Sequence, residues 1–504
     1  FAACLERARD LRILPPQVRA LTGLGLVAQA SGRRAEAQRA FEVAASLFED
    51  QRRTLSGDEF RHAWLTDHLR PYRELLALAL APEARAQADP AAVLLHLERV
   101  RARSLGEHLT GATPEESNPE LPALRGRLNW LYRRLRKVQD EGGESRALMD
   151  ELRETERNLL EGVRRERLAA VTATQTEGGD DNIDLVALRL ALGVQDALVE
   201  YGVSGDELFA CIVRRQGIQL VRHLAHWPGV QEAAQSLRFQ IDTLRHGSGP
   251  VARHLPHLEK RATQRLQQLH NLLWAPLADG LAGCTRVLIV PHAQLASLPF
   301  AALHEGPGPL GARLQLALAP SARVALHGLM HPAPELAAAQ ARALVLGEST
   351  QLPQAGSEAR HVASLFRNSV CLIDEAATLE ALRAEAPMAD VIHLACHAQF
   401  RSDNPMFSAL HLRDGAVTAE WLQGLSLNQA VVVLSACETG LAEQGQGDEM
   451  VGLVRAFLVA GASRVVAALW PVDDAVTEAF MGTFYRELVA GATGASALQR
   501  AQGA

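Results

Sequence analysis

Two apolar runs in the C-terminal part of the chain each end in a residue able to do chemistry. Val391-Ile392-His393-Leu394-Ala395-Cys396 leads to His397, and Val431-Val432-Val433-Leu434-Ser435-Ala436 leads to Cys437, forty positions after His397. Runs that are apolar at consecutive positions are the mark of strands buried on both faces of a parallel sheet. Side chains that act on ligands gather beyond the carboxyl ends of such strands. If the two strands are neighbours, His397 and Cys437 meet at that edge. An imidazole there takes the thiol proton and leaves a nucleophilic thiolate. The turn Glu438-Thr439-Gly440, leading to Gly445 and Gly447, lets backbone N–H groups, that of Cys437 among them, converge on a developing oxyanion. The neighbouring reactive types read as packing. Cys396 lies inside the strand, where cysteine behaves as a small buried hydrophobe, and His393 is read as a core or supporting histidine. Zinc held by His393 and His397 fails on distance, because four residues of strand separate them by about 13 Å.

The elements that must position this pair follow from periodicity. Strands are expected over Val287–Val290, Ala343–Leu346, Val391–Ala395, Ala430–Leu434 and Arg464–Leu469, alternating with helices. That alternation predicts an α/β unit with a mainly parallel sheet and helices on both faces. Ahead of it, Ala197–Val203 and Leu208–Arg214 flank the turn Gly205-Asp206 and predict a hairpin, with Ile218–His223 as a further strand. Residues 229–275 return to helix, and Thr477–Leu488 is the last helix expected before a chain end that falls inside a domain.

The N-terminal part is all-helical in pattern. Leu21, Leu24, Gly25, Ala28, Gly32, Ala37, Phe41 and Ala44 stand at the spacing of a tetratricopeptide helix pair, with small residues where helices cross and Gly32 at the turn. Leu121, Leu124, Leu128, Leu131, Leu135 and Val138, then Leu148, Leu152, Leu159 and Val163 after Gly142-Gly143, predict a long antiparallel helical hairpin with a charged outer face. The Thr-, Gly- and Asp-rich residues 171–182 are expected to be a linker.

Composition excludes several function classes. A net charge of −7 disfavours a nucleic-acid binder, and 5% aromatic residues provide few stacking platforms. No apolar stretch reaches 18 residues, so no membrane span is expected. Six cysteines without framework spacing suit reduced thiols, and with them a cytoplasmic location is expected.

Several stretches together resemble the CHAT domain, a clan of caspase- and separase-like cysteine peptidases often fused to tetratricopeptide repeats. They are HLACHAQF (393–400), NPMFSALHL (404–412), LSACETG (434–440), GDEMVGLVRAFLVAGA (447–462) and LWPVDD (469–474), with ERVRARSL (98–105), VLIVPHAQLASLPFAAL (287–303) and APSARV (319–324) upstream. The resemblance implies a caspase-like, pseudo-duplicated α/β fold behind a TPR-like helical region. Residues 1–110 are then the repeat region and 111–182 the helical hairpin and linker. Residues 183–335 form an inactive half, where His292 has no reactive cysteine as partner and Cys284 lies upstream of its strand. Residues 336–504 form the active half.

The resemblance further implies a cysteine endopeptidase. His397 matches the family's base and Cys437 its nucleophile, with no cofactor required. The N–H of Ala398, standing where the wider clan has glycine, would join that of Cys437 in the oxyanion hole. Similarity of LWPVDD to separases, which cleave after arginine, points to a basic P1 residue held by Asp474 or Asp473, with Asp403 and Asp448 as further carboxylates. The opposite case, an acidic P1, would use Arg401 or Arg455. A protein partner or effector bound by the repeats would regulate the activity, and family analogy places such proteins in bacterial defence or programmed death. The alternative is a catalytically silent scaffold acting through its repeats.

Overall fold

The computed structural model of the chain describes residues 1–11, 13–54, 69–81, 88–99, 101, 120–140, 146–173, 183–245, 255–306, 308–331, 341–350, 352–401, 405–435, 443–444, 450–470, 472 and 474–503. They fall into two compact units, one within Phe1–Ile183 and one within Asp184–Gln444 and Met450–Ala504.

The first unit is helical. Its elements are α1 (Ala2–Asp10), α2 (Leu14–Ala30), α3 (Arg34–Thr54), α4 (Arg70–Leu80), α5 (Pro90–Glu98), α6 (Glu120–Asp140) and α7 (Arg146–Ala173). Gly32 turns the chain between α2 and α3 with φ +74°, a backbone only glycine adopts without strain. Gly25 is where the two helices touch: a β-carbon there would lie 2.4 Å from the ring of Phe41. Ala28, Ala37, Phe41 and Ala44 are buried around that crossing, as the tetratricopeptide-like spacing predicts. On α4, the Tyr72 hydroxyl donates to Glu49, and its ring meets Phe48 edge-on. Between α6 and α7, the Tyr132 hydroxyl donates to Glu156 at 2.7 Å and Arg127 pairs with Glu151.

The second unit holds two five-stranded sheets. In the first, β1 (Asp196–Ser204), β2 (Glu207–Arg214), β3 (Gly217–His226), β4 (Arg286–Val290) and β5 (Gln315–Leu318) lie in the order β3-β2-β1-β4-β5. The hairpin turns at Gly205 with φ +58°, and β4 runs parallel to both β1 and β5. Helices α8 (Trp227–Arg245) and α9 (Leu255–Leu273) cover a core that includes Val199, Tyr201, Ile212, Leu237, Leu269 and Ile289. The Tyr201 hydroxyl donates to the Leu273 carbonyl at 3.0 Å, satisfying the one polar atom that ring brings inside.

In the second sheet, β6 (Arg342–Gly347), β7 (Asn368–Ile373), β8 (Val391–Ala395), β12 (Val431–Leu434) and β13 (Arg464–Ala467) lie in the order β13-β12-β8-β6-β7. Every pairing in it is parallel. The continuous apolar runs divide by the strand period of two. Leu344, Leu346, Ile392, Leu394, Val432 and Leu434 pack on one face with Phe457 of α11 (Leu453–Val459). Val345, Val391, Val431 and Val433 pack on the other with α10 (Ala355–Ser364), α12 (Asp474–Val489) and α13 (Gly494–Gly503). Between β8 and β12, the chain forms a small antiparallel sheet of β9 (Ala398–Gln399), β10 (Ala409–His411) and β11 (Ala416–Thr418). A helical region followed by an α/β unit with a parallel sheet is the expected fold class. Two strands are shorter than expected, starting at Val431 and ending at Ala467, and β5, β7, β9, β10, β11 and α13 are additions to the elements expected from the apolar runs.

Candidate active site

Strands β8 and β12 are neighbours in the register the apolar runs predict, with Leu394 opposite Leu434. The next amide continues the ladder: the Ser435 N–H donates to the Leu394 carbonyl at 3.0 Å. His397 thus lies three residues beyond the last inter-strand hydrogen bond at this carboxyl edge, and Cys437 follows Ser435 by two positions in the sequence. Two residues of chain span at most about 7 Å. Cys437 itself lies outside the described residues, as do Asp403, Asp448 and Asp473. Asp474 opens α12, but its side chain also lies outside them.

His397 is half-buried and held by β10. The His411 N–H donates to the His397 carbonyl at 2.8 Å, and the two imidazoles stack with centroids 5.4 Å apart and planes at 29°. Antiparallel ladders alternate hydrogen-bonded and non-hydrogen-bonded pairs. With His397 and His411 hydrogen-bonded, Ala398 and Leu410 form a non-hydrogen-bonded pair, and the Ala398 N–H points away from this ladder. The backbone at Ala398 is extended and does not enter the positive-φ region, so alanine there meets none of the strain that would call for glycine.

The other reactive types near this edge are structural. The Cys396 side chain is wholly enclosed in the core. Burial, reinforced by the nearby Glu348 carboxylate and opposed by the His411 backbone N–H, pushes its thiol up to about 12. His393 is also wholly buried and belongs to the opposite face: its Nδ1 lies 3.0 Å from the Tyr485 hydroxyl and its Nε2 3.2 Å from Glu358 Oε1. No group of three potential metal ligands occurs among the described residues. In the first sheet, His292 follows β4 and meets the Trp227 ring edge-on at 5.4 Å. Cys284 precedes β4, so the length of that strand separates the two, and burial raises its thiol. Of the two arginines considered for an acidic substrate, Arg455 is buried within α11, while the Arg401 N–H donates to Ser408 Oγ at 3.0 Å.

A carboxylate that apolar patterning does not reveal sits at the same edge. Glu348 directly follows β6, the other neighbour of β8, and its N–H donates to the Ala395 carbonyl at 2.9 Å. Its side chain is 4% exposed. Its carboxylate accepts from the Thr350 hydroxyl and, at 3.3 Å, from the Thr350 N–H. One strand further, Asp374 takes φ +50° and accepts the Ser349 N–H at 2.9 Å. The only cue for Glu348 in the sequence is its place immediately after an apolar run, which it shares with Cys437.

No helix among the described residues is long and apolar enough to cross a membrane. Tetratricopeptide repeat protein 28 of Mus musculus is 26% identical over 299 aligned residues, and its Homo sapiens counterpart 25%; the match covers 47% of this chain and 12% of each relative. The chain therefore spans about an eighth of the length of those proteins. Among solved structures, a chain of the Saccharomyces cerevisiae separase–securin complex aligns at 10% identity with a TM-score of 0.48, covering 94% of this chain and 36% of that one. The CHAT domain model matches residues 263–504, the stretch that contains β4, the all-parallel sheet and His397.

Proposed function

We propose that this chain is a caspase- and separase-like cysteine endopeptidase whose nucleophile is Cys437 and whose base is His397. The observation that supports the reading is the register of β8 and β12, which end side by side at one carboxyl edge, with His397 and Cys437 following those ends by a few positions in the sequence. Side chains that act on ligands gather beyond the carboxyl ends of such strands, and a thiol there gains from a neighbouring imidazole.

In this reading the Cys437 thiolate attacks the scissile carbonyl carbon, and the N–H groups of Ala398 and Cys437 receive the oxyanion. Collapse of the tetrahedral adduct breaks the C–N bond as the His397 imidazolium protonates the leaving amine. Water then attacks the thioester, His397 accepts its proton, and the thiolate is released. The substrate is a protein cut after a basic residue, and a partner bound to the helical unit regulates the cut. The test is alkylation of the native protein at pH 6 with sites mapped by mass spectrometry. Cys437 reacts at least tenfold faster than the other thiols and loses that advantage in His397→Ala, as a pKa-lowered thiolate requires. Equal reactivity of Cys437 and the exposed Cys4 would overturn the reading.

A further inference from the structure

We propose that the amino ends of β1, β4 and β5 form a binding site for a phosphate-bearing small molecule, with Arg286 and Arg464 as the groups that hold its charge.

The site is a cavity of about 570 Å³, lined by the turn 193–196 with Thr285, Arg286 and Gln315. Asp196, Arg286 and Gln315 are the first residues of β1, β4 and β5, three strands that run parallel. The Thr285 N–H donates to the Gln195 carbonyl and the Gln315 N–H to the Thr285 carbonyl, each at 2.9 Å, so bonded backbone frames the opening. The cavity lies at the end of this sheet opposite His292, which follows β4. Its size suits a small molecule.

Positive charge is in surplus around it. Asp196 is the one carboxylate in the lining, and Arg286 already takes it. Arg286 Nε donates to Oδ1 at 3.0 Å and Nη2 to Oδ2, which also accepts the Gly193 N–H at 2.8 Å. Nη1 of Arg286 meets no acceptor among the described residues. Three more guanidiniums bond to carbonyls in and around the turn. Arg214 reaches Ala282 at 2.9 Å and Val194 at 3.5 Å, Arg215 reaches Leu190 at 3.0 Å, and Arg189 reaches Arg215 at 3.2 Å. None of these three forms an ion pair among the described residues, although the chain as a whole carries a net charge of −7.

Arg464, the first residue of β13, likewise has no ion pair and no hydrogen bond among the described residues. Its surroundings are themselves positive. A β-carbon on Gly494 would lie 3.8 Å from Arg464 Cδ and Nη1, so the side chain rests against the first residue of α13, the positive end of that helix. The residue as a whole is exposed, yet loss of water around its guanidinium and, after it, the charge of Arg286 push its pKa down. Two guanidiniums that repel each other beside a cavity are stabilised by an anion between them, and their planar forks match phosphate oxygens with paired N–H···O bonds. Thr285 and Gln315 supply further polar contacts to whatever carries the phosphate. A ligand held by both arginines would join the first sheet to β13, the edge strand of the second.

The probe is inorganic pyrophosphate, titrated calorimetrically into the full chain. It is expected to bind wild type, and to bind at least tenfold more weakly to Arg464→Gln, which removes a charge and leaves no partner unpaired. Arg464→Lys, which keeps the charge without the fork, is expected to fall between them. Gln315→Glu, which adds a negative charge to the lining, is expected to weaken binding at least tenfold as well. Arg367→Gln, at an exposed arginine between α10 and β7, is expected to leave it unchanged. Unfolding midpoints without ligand show that each variant is folded, and the wild-type midpoint is expected to rise with pyrophosphate while that of Arg464→Gln does not. ADP is titrated alongside. Binding tighter than that of pyrophosphate assigns the site to a phosphate carried on a larger molecule, and weaker binding assigns it to the free anion. Failure of both to bind, or binding to Arg464→Gln or Gln315→Glu as tight as to wild type, overturns the proposal.

Discussion

The imidazole of His411 lies against that of His397, 5.4 Å between centroids and 29° between planes, while the His411 amide holds the His397 carbonyl at 2.8 Å. The stack restricts the ring rotation of His397 from one side, and the backbone bond fixes the main chain that carries it. A general base gains from being held in one orientation. We expect His411→Ala to lower kcat about tenfold with little change in KM, and His411→Phe, which keeps a flat ring there, to recover most of it. Steady-state kinetics on one peptide substrate checks this; an effect confined to KM would assign His411 to substrate binding instead.

His393 stabilises the fold from the other face of the sheet. Its two ring nitrogens lie at 3.0 Å from the Tyr485 hydroxyl and 3.2 Å from Glu358, with all three side chains buried. Tyr485→Phe strips His393 Nδ1 of its partner, which costs about 1–3 kcal/mol for a buried polar atom. Urea denaturation is expected to show that loss. Activity per folded molecule is expected to stay within twofold, because neither group lies at the carboxyl edge.

Cys396 makes stability fall at alkaline pH. The folded state holds its thiol protonated up to about 12, mainly through burial, whereas an unfolded thiol titrates near about 8.5. A group whose pKa is raised by folding stabilises fully below the unfolded pKa and loses that contribution as pH rises towards the folded one. Between those limits the loss is about 1.4 kcal/mol per pH unit. Denaturation midpoints at pH 8, 9 and 10 are expected to decline less steeply in Cys396→Ala than in wild type. Equal slopes would show that the thiol is not held protonated.

In the helical unit, Gly25→Ala places a methyl 2.4 Å from Phe41 and forces α2 and α3 apart. Overpacking of this kind costs roughly 1–3 kcal/mol. Thermal unfolding followed by circular dichroism is expected to show the helical transition shifted down, with the gain in helix propensity from glycine to alanine too small to offset it.

Much of this architecture is legible in the sequence, and what escapes has physical reasons. Strands β6, β8 and β12 are buried on both faces, so each carries a short, nearly continuous apolar run bounded by turn residues. The hairpin of β1 and β2 is marked by Gly205-Asp206 between two such runs. Strand β7 is the sheet's edge, and Asn368 and Ser369 at its start are exposed, so it lacks the run that marks its neighbours. Strands β9, β10 and β11 have two or three residues each, too few for a period to register. His397 is legible because it closes a strand. Glu348 closes one too, but a carboxylate after a glycine reads as an ordinary loop residue, and only its burial sets it apart. The stack of His411 on His397 depends on a register between β9 and β10 that has no local signature.

The most direct measurement is hydrolysis of fluorogenic peptides with arginine, lysine, leucine or aspartate at P1 by wild type, Cys437→Ala and His397→Ala. We expect cleavage of the arginine and lysine peptides by wild type, lowered at least 10³-fold by either substitution, as removal of one member of a catalytic pair requires. Cleavage that survives Cys437→Ala, or the absence of any cleavage from a protein in which Cys437 also alkylates no faster than Cys4, would contradict the assignment of these two residues as a peptidase pair.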